Sequence, residues 1–340
     1  MSTSRAFDRP SDPLYHTVPL HHALELPMLG VTVRFESNSS DALAAVDKLF
    51  GGWRGLFASP ELIDAARVRV RVIVHDGDEG PAPHAPVVWR LPDPDRLLIH
   101  TPGSVGLMDM RRRDAVVYVT PGLLADRAHF DYAVLHTITL PLVDTFDRYP
   151  VHAALIARGS VGLLLAGPSG TGKSTLAFEA HRSGLSVLSD DACHIQLKPV
   201  FRAWGELPGQ VYLTPGAGAR YPELARQAPS LVANSVEKLF VEFPYSWSGP
   251  GGRAPMASVV GVCLLARDGG VARTAPATPE EITTFLRQGL GVAEVMLGRG
   301  LEDALASVAA GGGWKLWLSD DPAEAVPLLL TMLTALARRD

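Results

Sequence analysis

One eight-residue stretch, Gly167-Pro168-Ser169-Gly170-Thr171-Gly172-Lys173-Ser174, constrains the fold of this 340-residue chain more than any other. It matches the pattern G-x-x-x-x-G-K-[ST] in full, and its flanks agree with it. "VGLLLA" before it is continuously apolar, as a strand buried on both faces of a sheet must be. "KSTLAFEAHRS" after it reads as a helix, with Gly184 placed to end it. Strand, glycine-rich turn and helix together make a phosphate cradle. The glycines let backbone amides turn inward, the helix N-terminus adds its dipole, and Lys173 reaches the outer phosphates. Residues Gly167 through Thr175 are therefore expected to hold ATP, with the Ser174 hydroxyl offered to Mg2+. The alternative is a chance glycine-rich turn, which the full match between a strand and a helix argues against.

Seventeen residues after Lys173 stand two adjacent acids, Asp190 and Asp191, closing the apolar run "LSVLS". Successive parallel strands joined by a crossover helix end at the same edge of a sheet, so the pair is expected beside the phosphate loop. Two carboxylates there divide two tasks, one completing magnesium coordination with Ser174 and one accepting the proton of an incoming hydroxyl. A plain nucleotide switch needs only the first. The plain alternative is a helix cap, and the chain contains its own control for it. "LSDD" recurs at 318–321, where it runs into Pro322 with Glu324 following. Aspartate at a cap, proline at the first helical position and an acid in the first turn are what a helix start wants, so Asp320 and Asp321 are assigned to capping.

His152 is expected to begin the strand before the phosphate-loop strand, and by pattern alone it reads as a packed core residue. The order "VHAALI…GLLLAGPSGTGKSTLA…SGLSVLSDDA" nevertheless resembles the catalytic domain of HPr kinase/phosphorylase, a bacterial serine protein kinase whose fold is related to ATP-dependent phosphoenolpyruvate carboxykinase. The match covers residues 151–195. The resemblance implies ATP and Mg2+ at Gly167–Ser174, Asp190 as general base, Asp191 nearer the metal with Ser174, and His152 beside the base. It also implies a peptide or small-protein substrate bearing a serine or threonine, and a homo-oligomer. Three departures stand out. Thr175 replaces the family's glutamate, Ala153 replaces a glycine, and residues 200–340 lack the Gly-Leu-Gly-Ile…Asn-x-Arg stretch associated with phosphorolysis. The resemblance thus implies a kinase without the reverse activity, similar to stand-alone relatives that modify precursor peptides.

The remaining sequence sets the frame. The expected architecture is an α/β P-loop domain over 149–340, preceded by a smaller α+β domain over 1–148 in which "RVRVRVIV" alternates as a half-buried strand and residues 41–50 form a helix. With a net charge of -5, no nucleic-acid or anionic-membrane partner is expected. The two cysteines, Cys193 and Cys263, suit neither a disulfide framework nor a zinc site, and the expected compartment is the cytoplasm. Further strands are expected at 238–243 and 259–266, and a capping-box helix from Thr278. Lys238 heads a strand and reads either as a phosphate contact or as a solvated strand end. The loops 214–221 and 245–257, the latter with Arg253, read as substrate flaps or as plain surface. A small-molecule kinase and a non-catalytic ATP-binding adaptor remain as alternatives to a protein kinase.

Overall fold

The structure is a computed structural model that describes residues 17–54, 64–76, 87–93, 95–224, 230–231, 237–242, 256–290 and 300–338. The chain forms two units, one of residues 1–25, 34–49 and 68–139, the other of 26–33, 50–67 and 140–340. The chain thus passes to the second unit at Leu140, before the expected boundary at 148/149. The second unit also takes in two short segments from the N-terminal half.

The N-terminal half carries a mostly antiparallel seven-stranded sheet in the order β1-β2-β3-β7-β6-β5-β4. Its strands are β1 (His22–Met28), β2 (Val31–Ser37), β3 (Asp64–Val74), β4 (Val88–Asp93), β5 (Arg96–Thr101), β6 (Ser104–Asp109) and β7 (Asp114–Val119). In β3 the expected alternation holds: Val68, Val70 and Val72 are buried, while Arg69 and Arg71 pair with Glu36 and Asp114. Helix α1 (Ser40–Phe50) buries Ala42, Val46 and Phe50 on one side, the spacing of a helical face. After α2 (Pro121–Ala125), a helical stretch from α3 (Arg127–His129) through a π-wound segment to α4 (Thr137–Asp144) leads out of the unit.

The second unit is built on a six-stranded sheet, order β11-β9-β10-β18-β20-β19. Its strands are β9 (Ala154–Arg158), β10 (Val161–Ala166), β11 (Ser186–Ser189), β18 (Val259–Ala266), β19 (Arg273–Ala277) and β20 (Gly313–Trp317). Strands β10, β18 and β20 are parallel. The unbroken apolar runs are explained by burial on both faces. Ile156, Leu163 and Leu165 enter a core with α5 (Lys173–Arg182) and α9 (Val326–Ala337), while Leu155, Leu164 and Ala166 enter a second core with α7 (Pro279–Gln288) and α8 (Leu301–Ala310). Helix α7 starts with the expected capping box, Thr278 and Glu281 bonding each other's backbone. A tight turn over Pro322–Ala325 precedes α9, which starts at Val326 with Pro327 in its first turn.

Two smaller sheets and the short helix α6 (Ala217–Arg220) also belong to the unit. One has the order β17-β13-β12-β8, with β8 (Arg148–Val151), β12 (Cys193–Gln196), β13 (Arg202–Gly205) and β17 (Met256–Ala257). The other has β14 (Gln210–Leu213), β15 (Ser230–Leu231) and β16 (Glu237–Glu242), with β16 in the middle. Both cysteines are free and buried. Among the described residues no helix is long and apolar enough to cross a membrane. Most of the 245–257 loop, Arg253 included, lies outside the described residues.

Candidate active site

The glycine-rich loop leaves β10 at Ala166 and feeds α5 at Lys173. Gly170 and Gly172 have φ of +79° and +113°, conformations a side chain disfavours, and between them the Thr171 N–H turns back to donate to the Pro168 carbonyl at 3.2 Å. The loop is held from within. Thr171 Oγ1 donates to the Pro168 carbonyl at 2.5 Å, and Lys173 Nζ donates to the Gly167 carbonyl at 2.8 Å. Lys173 is buried, and burial pushes its proton affinity down against the pull of Asp191 and Asp190. Pro168, Ser169 and Gly170 are exposed at the mouth of the loop, and Thr175 stands half-buried in the first turn of α5.

The acid pair sits at the same sheet edge, by a route other than the one expected. Strand β11 does not lie next to β10. Strand β9 lies between them, antiparallel to both, so β10 and β11 still run in one direction and end together. Strand β13 approaches β11 so closely that a Cβ on Gly205 would stand 1.8 Å from the Leu188 carbonyl oxygen. Only glycine fits there, and the contact fixes the end of β11 from which the acids emerge.

The two acids then meet unlike surroundings. Asp190 is 6% exposed. Its Oδ2 accepts the Tyr212 N–H at 2.7 Å, and the Ser174 hydroxyl lies near enough to favour the ionised carboxylate. Burial raises its pKa to about 7, helped by the charge of Asp191 and opposed by the Tyr212 amide, Lys238 and Ser174. Asp191 has a side chain 60% exposed, with His152 Nε2 3.6 Å from its Oδ1. His152 therefore adjoins Asp191, not Asp190, and it lies in the break between β8 and β9 and not at the head of a strand. The pairing of β8 with β12, Val151 opposite Cys193, sets that approach, and the Cys193 thiol donates to the Ala153 carbonyl at 3.0 Å.

Tyr212, Arg267 and His194, which sequence reasoning missed, and Lys238, which it left between two readings, support this arrangement. Tyr212, on β14, supplies the amide to Asp190. Lys238, on the neighbouring β16, is half-buried, and its charge acts on both Asp190 and Lys173. Arg267 touches the loop itself, donating from Nε to the Thr171 carbonyl at 2.9 Å. Just beyond the acid pair, His194 is buried with its ring nitrogens 3.0 Å from Asp144 and 3.2 Å from Glu206. Burial opposes its charge, but the two carboxylates outweigh it and raise its pKa to about 9, so an ionic anchor holds β12. No sequence pattern marks such partners, since Asp144 and His194 stand 50 residues apart (194 minus 144).

The second "LSDD" behaves differently, as expected for a helix start. Asp321 caps the turn, accepting the Ala323 N–H at 3.1 Å. Asp320 does not share that duty. It is fully exposed, 3.9 Å from Arg267, and its carbonyl accepts from Arg220 in the 214–221 segment at 2.7 Å.

No family model matches the chain, and no curated protein matches it. Among solved structures it is similar to the HPr(Ser) kinase/phosphatase from Coxiella burnetii. The identity is 14%, over 56% of this chain and 90% of that one, with a TM-score of 0.28.

Proposed function

We propose that the chain is an ATP-dependent kinase that transfers the γ-phosphate to a serine or threonine hydroxyl of a peptide or small protein, without the reverse phosphorolysis. One observation supports the reading: two neighbouring carboxylates of opposite exposure follow a strand beside the glycine-rich loop, one buried near the loop serine and one open beside a histidine.

That asymmetry divides the work. Asp190 and the Ser174 hydroxyl form a hard-oxygen pair of the kind that holds Mg2+ in phosphate-loop enzymes. Magnesium bound there would neutralise charge on the β- and γ-phosphate oxygens. Asp191, exposed beside His152, is the carboxylate an acceptor hydroxyl can reach, and it takes the proton as the oxygen attacks. These roles exchange those implied by the family resemblance, because burial withdraws Asp190 from an incoming substrate. Lys173 and the inward amides hold the transferring phosphoryl group, and preorganised charge supplies most of the rate. The openness of Asp191 among the described residues favours an acceptor presented on a chain over a metabolite enclosed in a pocket.

The test is incubation with ATP, Mg2+ and a panel of serine- and threonine-containing peptides, read as a mass gain of about 80 Da, the phosphate group. Asp191→Asn is expected to lower transfer by roughly 10²- to 10⁴-fold with nucleotide affinity retained. Transfer by Asp191→Asn at close to the normal rate rejects Asp191 as base. Label appearing in a low-mass metabolite identifies a small-molecule kinase, and ATP binding without turnover identifies an adaptor.

A further inference from the structure

A phosphate loop works by turning its amides inward, which forces its carbonyls outward, where each needs a donor. Two of these carbonyls are satisfied inside the loop, Gly167 by Lys173 and Pro168 by Thr171. The Thr171 carbonyl is satisfied from outside, by a residue of another strand. Arg267 directly follows β18, the parallel neighbour of β10, and its Nε donates to Thr171 O at 2.9 Å. Its Nη1 donates to the Ser319 carbonyl at 2.9 Å, just past the end of β20. The backbone ties the same two segments together, Leu318 N–H donating to Ala266 O at 2.9 Å. Asp320 lies 3.9 Å from the guanidinium, which is 39% exposed. On the loop side, Gly172 leaves the room this needs, since a Cβ there would sit 3.2 Å from Arg267 Nη2.

We propose that Arg267 is a positioning residue for the nucleotide. Its planar fork pins the outward Thr171 carbonyl to the rigid ends of β18 and β20, and so keeps the loop amides turned toward the phosphates. The inference rests on the reading of this loop as a nucleoside triphosphate site. A loop so pinned loses little freedom when the nucleotide enters, whereas an unpinned loop must be ordered at the expense of affinity. The fork is essential to the claim. An ammonium is a point charge on a flexible stem and does not reproduce two fixed, coplanar N–H directions.

Calorimetric titration with Mg·ADP separates the possibilities without turnover, using the full chain and its Arg267→Ala, Arg267→Lys and Lys173→Ala variants. Arg267→Ala is expected to raise Kd by roughly tenfold or more, the loss of two hydrogen bonds from a charged donor. Arg267→Lys is expected to recover only a minor part of that loss, with its nucleotide-free melting temperature close to that of the parent. If Arg267→Ala binds within about twofold of the parent while Lys173→Ala binds poorly, the positioning role is wrong and the nucleotide site stands. Full rescue by lysine also overturns it, because charge alone would then suffice. Normal binding by Lys173→Ala rejects the nucleotide reading itself.

Discussion

Asp190→Asn isolates the cost of burying the carboxylate. Buried beside Asp191, the Asp190 carboxyl has a pKa of about 7, against 3.8 for a free aspartate. The folded state therefore binds the proton more tightly than the unfolded chain, and the stability this gives is greatest below pH 4. It is lost as pH rises from about 4 to about 7, and above that the full cost of an ionised buried carboxylate remains. Between pH 5 and pH 8 about two units of that difference are spent, which at about 1.4 kcal/mol per unit is roughly 3 kcal/mol. Asparagine has no such dependence, and its amide oxygen can still accept the Tyr212 N–H. The assay is thermal unfolding without nucleotide or metal. For a unit of this size, about 3 kcal/mol corresponds to roughly 5–10 °C. Relative to its standing at pH 5, Asp190→Asn is thus expected to gain that much over the parent at pH 8. A difference between the two proteins that does not change with pH refutes the reasoning.

Other substitutions probe the supports. Gly205→Ala would drive a methyl into the Leu188 backbone, which cannot swing aside, and is expected to cost at least about 3 kcal/mol and to abolish transfer by displacing the acid pair. Circular-dichroism melting checks the first effect, and a normal melt refutes it. Thr278→Ala removes one half of the α7 capping box and is expected to cost about 1 kcal/mol. Its peptide phosphorylation rate should equal that of the parent, because the cap touches none of the site residues.

The sheet that carries the site is legible in the sequence because its signals are local. Two-sided burial writes β9, β10 and β18 as apolar runs, and the glycine pattern writes the turn after β10 without reference to anything distant. Strand order is not local. That β9 inserts between β10 and β11 depends on antiparallel pairing with both, and nothing in "HAALIA" states it. The placement of His152 failed for a related reason. A histidine before an apolar run looks like the strand's first residue, but the chain changes sheets there, passing from β8 to β9. Arg267 and Tyr212 were beyond reach because each acts through geometry, one side-chain fork and one backbone amide brought in from distant parts of the chain, whereas Lys238 was marked by its place at a strand head but not assigned.

The doublet itself explains why neighbouring residues can hold different tasks. The pair lies just past the end of β11, where the chain leaves the packed sheet: Ser189 and Asp190 are buried and Asp191 is exposed. Burial thereby raises the proton affinity of Asp190 without any further residue being spent on the distinction. The inward acid meets the loop serine, because the loop and the strand end share an edge. The outward acid meets whatever approaches from solvent. A single aspartate at that position would have to be either beside Ser174 or open to the substrate. The pair is the shortest sequence that is both, and its asymmetry follows from its place at the edge of the packed sheet.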